Sequence, residues 1–97
     1  MAKFVALMQW TDQGIKSYRD SIDRARAGAA AAEKSGGKLT KILWTLGKYD
    51  LVALMEFPDD EAATAFALAL SSQGNLRTTT MRAYDEAEMT AIIAKNK

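Results

Sequence analysis

The chain contains no cysteine and no histidine. Without cysteine there are no disulfides, thiolate nucleophiles, zinc clusters or iron-sulfur ligands. Without histidine, triads with an imidazole base and metal sites built on imidazole are excluded too. No metal and no cofactor is therefore expected. A surplus of one charge is also missing. Thirteen basic residues face twelve acidic ones, and a net charge of +1 provides no field to draw nucleic acid or an anionic membrane. The first apolar run, Phe4 to Met8, is too short for a secretory signal or a membrane span. A soluble cytoplasmic protein is expected.

What is present suits a folded globule. At 97 residues with 48% apolar content, the chain has room for one domain, residues 1–97. A domain of this size buries only roughly 60 to 65% of the surface its unfolded chain exposes, so its core is thin and further burial matters. Carboxylate, lysine, tyrosine, hydroxyl and arginine remain for chemistry.

Lys3 to Trp10 is short, apolar and bounded by Thr11-Asp12, which predicts a buried strand. From Asp12, the residues Ile15, Tyr18, Ile22, Ala25, Ala29 and Ala32 recur at helical spacing, predicting one helix that Gly36-Gly37 terminates. "KLTKILWTL" (38–46) and "YDLVALMEF" (49–57) read as two more strands, with Gly47-Lys48 between them as a two-residue type II′ turn. Pro58 ends the third strand, and Asp59-Asp60-Glu61 opens a helix carrying Ala62, Phe66 and Leu70. After Gly74-Asn75, Leu76 to Tyr84 reads as a fourth strand. Asp85 with Glu88 resembles a helix cap, and Met89, Ile92 and Ile93 would hold a short final helix against the body. Lys95 to Lys97 is expected to fray.

This order predicts a ferredoxin-like α+β sandwich, βαββαβ, with a four-stranded antiparallel sheet, helices on one side and a short C-terminal helix. "FVALMQW" (4–10) and "LVALMEF" (51–57) share Val-Ala-Leu-Met, as two strands in equivalent central places would. By strand parity, Phe4, Ala6, Met8 and Trp10 lie on one side with Leu51, Ala53, Met55 and Phe57, and this set is assigned to the helices. The other side still carries Val5, Leu7, Val52 and Leu54, a patch that a monomer rarely leaves wet. A symmetric homodimer of sheets is the expected solution. A few hundred square ångströms of apolar burial at about 25 cal/mol per Å² contributes several kcal/mol before association entropy is subtracted. The competing solution folds the terminal helix or the Gly36-Gly37 loop over the patch.

Gly47-Lys48-Tyr49-Asp50, followed by "LVALMEFPDDEAATAFALALSSQGNLRTTTMRAY", resembles the GYD domain family, as does "WTDQGI" at 10–15. The resemblance implies small prokaryotic proteins with a ferredoxin-like, dimeric α/β barrel arrangement and no settled activity. Other dimeric α/β barrels include small monooxygenases, isomerases and haem-handling proteins, so their chemistry is available here only as analogy of fold.

The candidate site residues are Trp44, Tyr49, Asp50, Arg77 and Arg82. Tyr49 and Asp50 supply a phenol donor and a carboxylate base if the hairpin is catalytic. The preferred role is the turn, since an aspartate there bonds nearby backbone N–H groups. Arg77 and Arg82 lie on opposite sides of the fourth strand by parity, and either suits a carboxylate or phosphate. Trp10, Tyr18 and Trp44 are candidates to line an apolar pocket between sheet and helix, although a core role is preferred. The element order is also that of an RNA-recognition module, but the central strands carry aliphatic residues where base-stacking rings are needed. The reading is a homodimeric small-molecule-binding module with a pocket near residues 44–50. A cofactor-free monooxygenase- or isomerase-like enzyme using Tyr49 and Asp50, and a structural subunit of a larger assembly, are the alternatives. No nucleic acid and no membrane partner is expected.

Overall fold

Alternation of large apolar residues makes the two central strands, β1 (Ala2–Trp10) and β3 (Leu51–Phe57), in the computed structural model, which describes residues 1–96. They pair antiparallel, with Phe4 opposite Met55, Ala6 opposite Ala53 and Met8 opposite Leu51. β2 (Lys38–Trp44) and β4 (Leu76–Ala83) flank them, giving a four-stranded antiparallel sheet in the order β2-β3-β1-β4. The fold is α+β. Helices α2 (Ser21–Lys34) and α3 (Asp60–Ser72) connect the strands and contribute Ala32, Ala63 and Phe66 to one core with Phe4, Ala6, Met8, Leu51, Ala53, Met55 and Phe57. The face assigned to the helices from parity is thus the buried one. Phe57 is fully buried, its ring centroid 6.3 Å from that of Phe4 and 5.3 Å from that of Phe66. Such aromatic packing adds to the area buried.

The first helical segment differs from the expected single helix. It breaks into α1 (Asp12–Lys16), a 3₁₀ turn at Tyr18–Asp20, and α2. Thr11 caps α1 by accepting from the Gly14 N–H, and Ser17 ends it. The Arg24 guanidinium then stabilises the break, donating to the carbonyls of Ser17 (2.9 Å) and Gly14 (3.2 Å) that the interrupted helix leaves free. The interruption shifts the helical phase. Ile15, Tyr18 and Ile22 are about half exposed, while Ala32 of the expected stripe is buried together with Ser21 and Gly28.

The β2–β3 connection is wider than a two-residue turn. Pairing ends at Trp44 opposite Leu51, and the Thr45 N–H donates to the Asp50 carbonyl at 2.8 Å, leaving Leu46 to Tyr49 as the loop. The Thr45 hydroxyl donates to the Tyr49 carbonyl at 2.6 Å and stabilises this wider form. Gly47 has φ of +127°, which a side chain would strain, so glycine is required for backbone reasons alone. β2 also carries a register shift between Leu39 and Lys41, which no residue of the 38–44 stretch signals.

The final helix, α4 (Glu86–Ile93), was expected to lie against the body, yet none of its residues is buried. It has a full capping box, with Asp85 accepting from the Glu88 N–H and Glu88 accepting from the Asp85 N–H. Its apolar residues Met89 and Ile93 stand exposed. The molecule measures 52 × 30 × 18 Å with a radius of gyration of 14.5 Å. A compact chain of this length has about 12.5 Å. Backbone bonds from Lys95 to Ile92 and from Asn96 to Ile93 continue the turn past α4. Lys97, included in the segment expected to fray, lies outside the described residues. No helix among the described residues is long and apolar enough to cross a membrane.

Candidate functional site

Asp50 closes the sheet end where the hairpin lies. Its carboxylate accepts the Trp10 backbone N–H at 2.8 Å, its own N–H donates to the Met8 carbonyl at 2.8 Å, and its carbonyl receives Thr45. Gln9 joins the same seam by donating to the Lys48 carbonyl at 3.0 Å. The aspartate thus replaces missing ladder bonds at the end of β1. Tyr49 is half-buried beneath the Lys48 ammonium, which lies 5.7 Å from its ring centroid. Trp44 lies on the helix side of β2 and donates its indole N–H to the buried Ser21 hydroxyl at 2.9 Å.

Between α2, α3 and the sheet lies an apolar cleft of about 40 Å³, lined by Trp10, Gly28, Leu39, Ile42, Phe66 and Leu70 among others. A second space of about 130 Å³ adjoins it between the alanine faces of the two helices, sharing Gly28, Phe66, Leu70 and Gln73. Gly28 is the common wall. A Cβ added there would meet nothing within 4 Å. Ser21 and Trp10 bring the hairpin end of the sheet to this cleft, while Tyr18 is exposed and does not line it.

Arg82 lies at the other end of the sheet, opposite Phe4 on the helix side. It stacks 4.6 Å from the Tyr84 ring centroid, donates to the carbonyls of Lys3 and Ala83, and stands 3.8 Å from Asp60. It forms one end of an open groove of about 500 Å³ between α3 and β4, floored by Thr78 and Thr80. On the opposite face, Lys3 pairs with Glu88 at 3.2 Å and Asp85 at 3.3 Å. Hydrogen bonds to these carboxylates, Glu88 first, hold the Lys3 ammonium above the ordinary lysine range. Asp85 is held below the usual carboxylate range first by the Glu88 N–H it caps and then by Lys3. Glu88 is lowered in the same way, by the Asp85 N–H and then Lys3.

The five candidate residues do not converge. Trp44, Tyr49, Asp50 and the backbone of Arg77 share one end of the sheet, whereas Arg82 lies five residues further along β4, about 16 Å away. Only the two arginines meet a common space, both lining the groove between α3 and β4. Trp44 and Arg77 stand on the two edge strands and on opposite faces, Trp44 beside Ser21 and Arg77 opposite Gln9. Glu56, at the far end of β3 from Asp50, pairs loosely with Lys38 at 3.9 Å rather than with either arginine.

The open face has a distinct composition. Register places Val5, Leu7, Leu43, Val52, Leu54 and Met81 together at its centre, with Lys3, Gln9, Lys38, Lys41, Glu56 and Arg77 around them. Leu43, Leu54 and Met81 are each more than 40% exposed. Neither α4 nor the Gly36-Gly37 turn buries the patch.

The GYD domain model matches residues 4–93, nearly the whole length. The chain belongs to the GYD domain family. Comparison with curated proteins and with solved structures gave no significant match. In this GYD domain, Gly47, Tyr49 and Asp50 lie within the matched residues. Their contacts are those of a loop fastened to β1.

Two positions escaped sequence reasoning. Gly14 is buried where α1 meets the β4 approach, and a Cβ there would lie 2.0 Å from the Asn75 carbonyl oxygen. Its signal was a glycine in the first turn of a helix, a costly place unless another backbone approaches. Ser21, the indole partner, had no signal, because its role depends on the phase shift at Ser17.

Proposed function

We propose that this GYD domain is a homodimeric small-molecule-binding module. Its subunit is ferredoxin-like, and two subunits pack their open sheet faces together in a dimeric α/β barrel arrangement. The strand order β2-β3-β1-β4 with connecting helices α2 and α3 supports the subunit. An apolar centre ringed by polar side chains, as on the open face, is the anatomy of an interface.

The ligand is small and apolar, and it occupies the space between α2, α3 and the sheet. Gly28 carries this reading. A glycine within a helix costs roughly 1 kcal/mol relative to alanine, yet at Gly28 no neighbour requires the missing methyl group. The two adjoining spaces together are of the order of the roughly 150 Å³ apolar cavities that accept one benzene ring. Ser21, Arg24, Gln73 and Asn75 supply the few polar groups at the margin, as small-molecule sites require.

Titration with toluene, read by the fluorescence of Trp10 and Trp44, tests it. Saturable quenching or enhancement that Gly28→Leu abolishes is the expected result. A response that is linear in toluene, or unchanged in Gly28→Leu, contradicts the assignment.

A further inference from the structure

We infer that α4 is an arm that docks on a second copy of this chain, packing its Met89, Ile92 and Ile93 stripe against that copy. The inference rests on the sheet-face dimer proposed above.

Eight residues make a helix too short to persist in water without tertiary support. The capping box and Lys3 secure only its first turn. Beyond them no residue of α4 is buried, and Met89 and Ile93 are 46% and 62% exposed. Met89, Ile92 and Ile93 recur at the spacing that aligns one helical face, and of this stripe only Ile92 is partly covered by the protomer. Something outside the protomer must cover the rest.

The position of the tether selects a second copy. Lys3 is on the same face of β1 as Val5 and Leu7, so its bonds to Asp85 and Glu88 start α4 on the open side of the sheet. A protomer seated on that face therefore meets α4. Charge agrees with this. The rim of the open face carries Lys3, Lys38 and Lys41 against Glu56, and among the described residues Lys41 makes no ion pair. Asp85 and Glu88 are held by the protomer's own Lys3, so the carboxylate an exchanged arm offers to the unpaired Lys41 of the facing rim is that of Glu86.

Amide exchange of the full chain above and below its dimerisation concentration, with sedimentation of full-length variants, tests the arm. The amides of Met89 to Ile93 should be protected in the dimer and exchange freely on dilution. Met89→Ser with Ile93→Ser should raise the dimer Kd on the order of 1,000-fold, the scale expected when two half-exposed apolar side chains are lost from each of two arms. Ala91→Gly leaves the stripe intact and should raise it about 30-fold, through the helix propensity of the two exchanged arms alone. Circular dichroism of both variants should retain the wild-type sheet signal. A persistent dimer whose α4 exchange ignores concentration, or whose Kd the double substitution leaves within twofold, overturns the arm and leaves the sheet-face dimer standing. Protected α4 amides in a dilute monomer overturn it as well, since the helix would then pack on its own subunit. A wild-type chain that never dimerises removes both proposals.

Discussion

Replacing Asp50 with alanine separates a fastening role from a chemical one. The carboxylate accepts the Trp10 N–H at 2.8 Å in a partly buried place, and alanine leaves that N–H without its acceptor. A hydrogen bond to a charged group contributes about 1.5–3 kcal/mol, and partial solvent access favours the lower half of that range. Backbone bonds from Asp50 to Met8 and from Thr45 remain, so the expected loss is about 2 kcal/mol. For a domain of this size, that lowers the melting temperature by about 8–16 °C. Asp50→Asn keeps a neutral acceptor and should lose about half as much. Urea unfolding at one fixed protein concentration measures both, the fixed concentration removing any contribution from association. Alanine and wild type agreeing within about 0.5 kcal/mol would refute the fastening role and restore Asp50 as a candidate for chemistry.

Further consequences concern glycine and charge. Gly14→Ala places a methyl group against the Asn75 carbonyl and should destabilise the fold by about 2 kcal/mol, checked by urea midpoint. Gly28→Ala should do the opposite, raising stability by about 0.5–1 kcal/mol, because its methyl group enters open space and the helix gains propensity. The Lys3 cluster gives α4 a pH window. The raised Lys3 contributes fully below the ordinary lysine value of about 10.4 and loses its contribution as pH rises through its folded value. The lowered Asp85 and Glu88 contribute fully above ordinary values of about 3.9 and 4.3 and lose that contribution as pH falls through their folded values. Attachment of the first turn of α4 should therefore hold from about pH 5 to pH 10 and fail on either side. Amide exchange corrected for intrinsic rate should show this, and equal α4 protection at pH 3 and pH 7 would contradict it.

The sheet was legible because a strand repeats every two residues and β1 and β3 place large apolar groups on both faces. Phe4, Ala6, Met8, Leu51, Ala53, Met55 and Phe57 all face inward as parity requires. The register positions of Arg77 and Arg82 follow the same rule, but both residues line the groove between α3 and β4, which parity does not show. The first helix was misread because Ile15, Tyr18 and Ile22 gave the stronger periodic signal, while the actual buried stripe contains serine, glycine and alanine. Hydrophobicity gives such residues little weight, and the guanidinium bonds that fix the break at Ser17 link residues seven to ten apart. The width of the 45–50 loop depended on Thr45 and Asp50 hydrogen bonds, which turn statistics for Gly47-Lys48 do not contain. The pocket expected near residues 44–50 is not where the cleft lies, since Trp44, Tyr49 and Asp50 do not line it and Trp10 alone of the three aromatics considered does. Gly28 gave no signal, because an absent side chain marks a space only after both helices are placed. For α4, the cap at Asp85 was legible because it is local, whereas the surface that the helix covers is not.

Sedimentation equilibrium of the untagged full-length chain at micromolar concentration tests the central claim most directly. The account predicts a species of twice 10.6 kDa that Leu7→Glu converts to the monomer, because Leu7 lies at the centre of the open face. A wild-type chain found only at 10.6 kDa would contradict it.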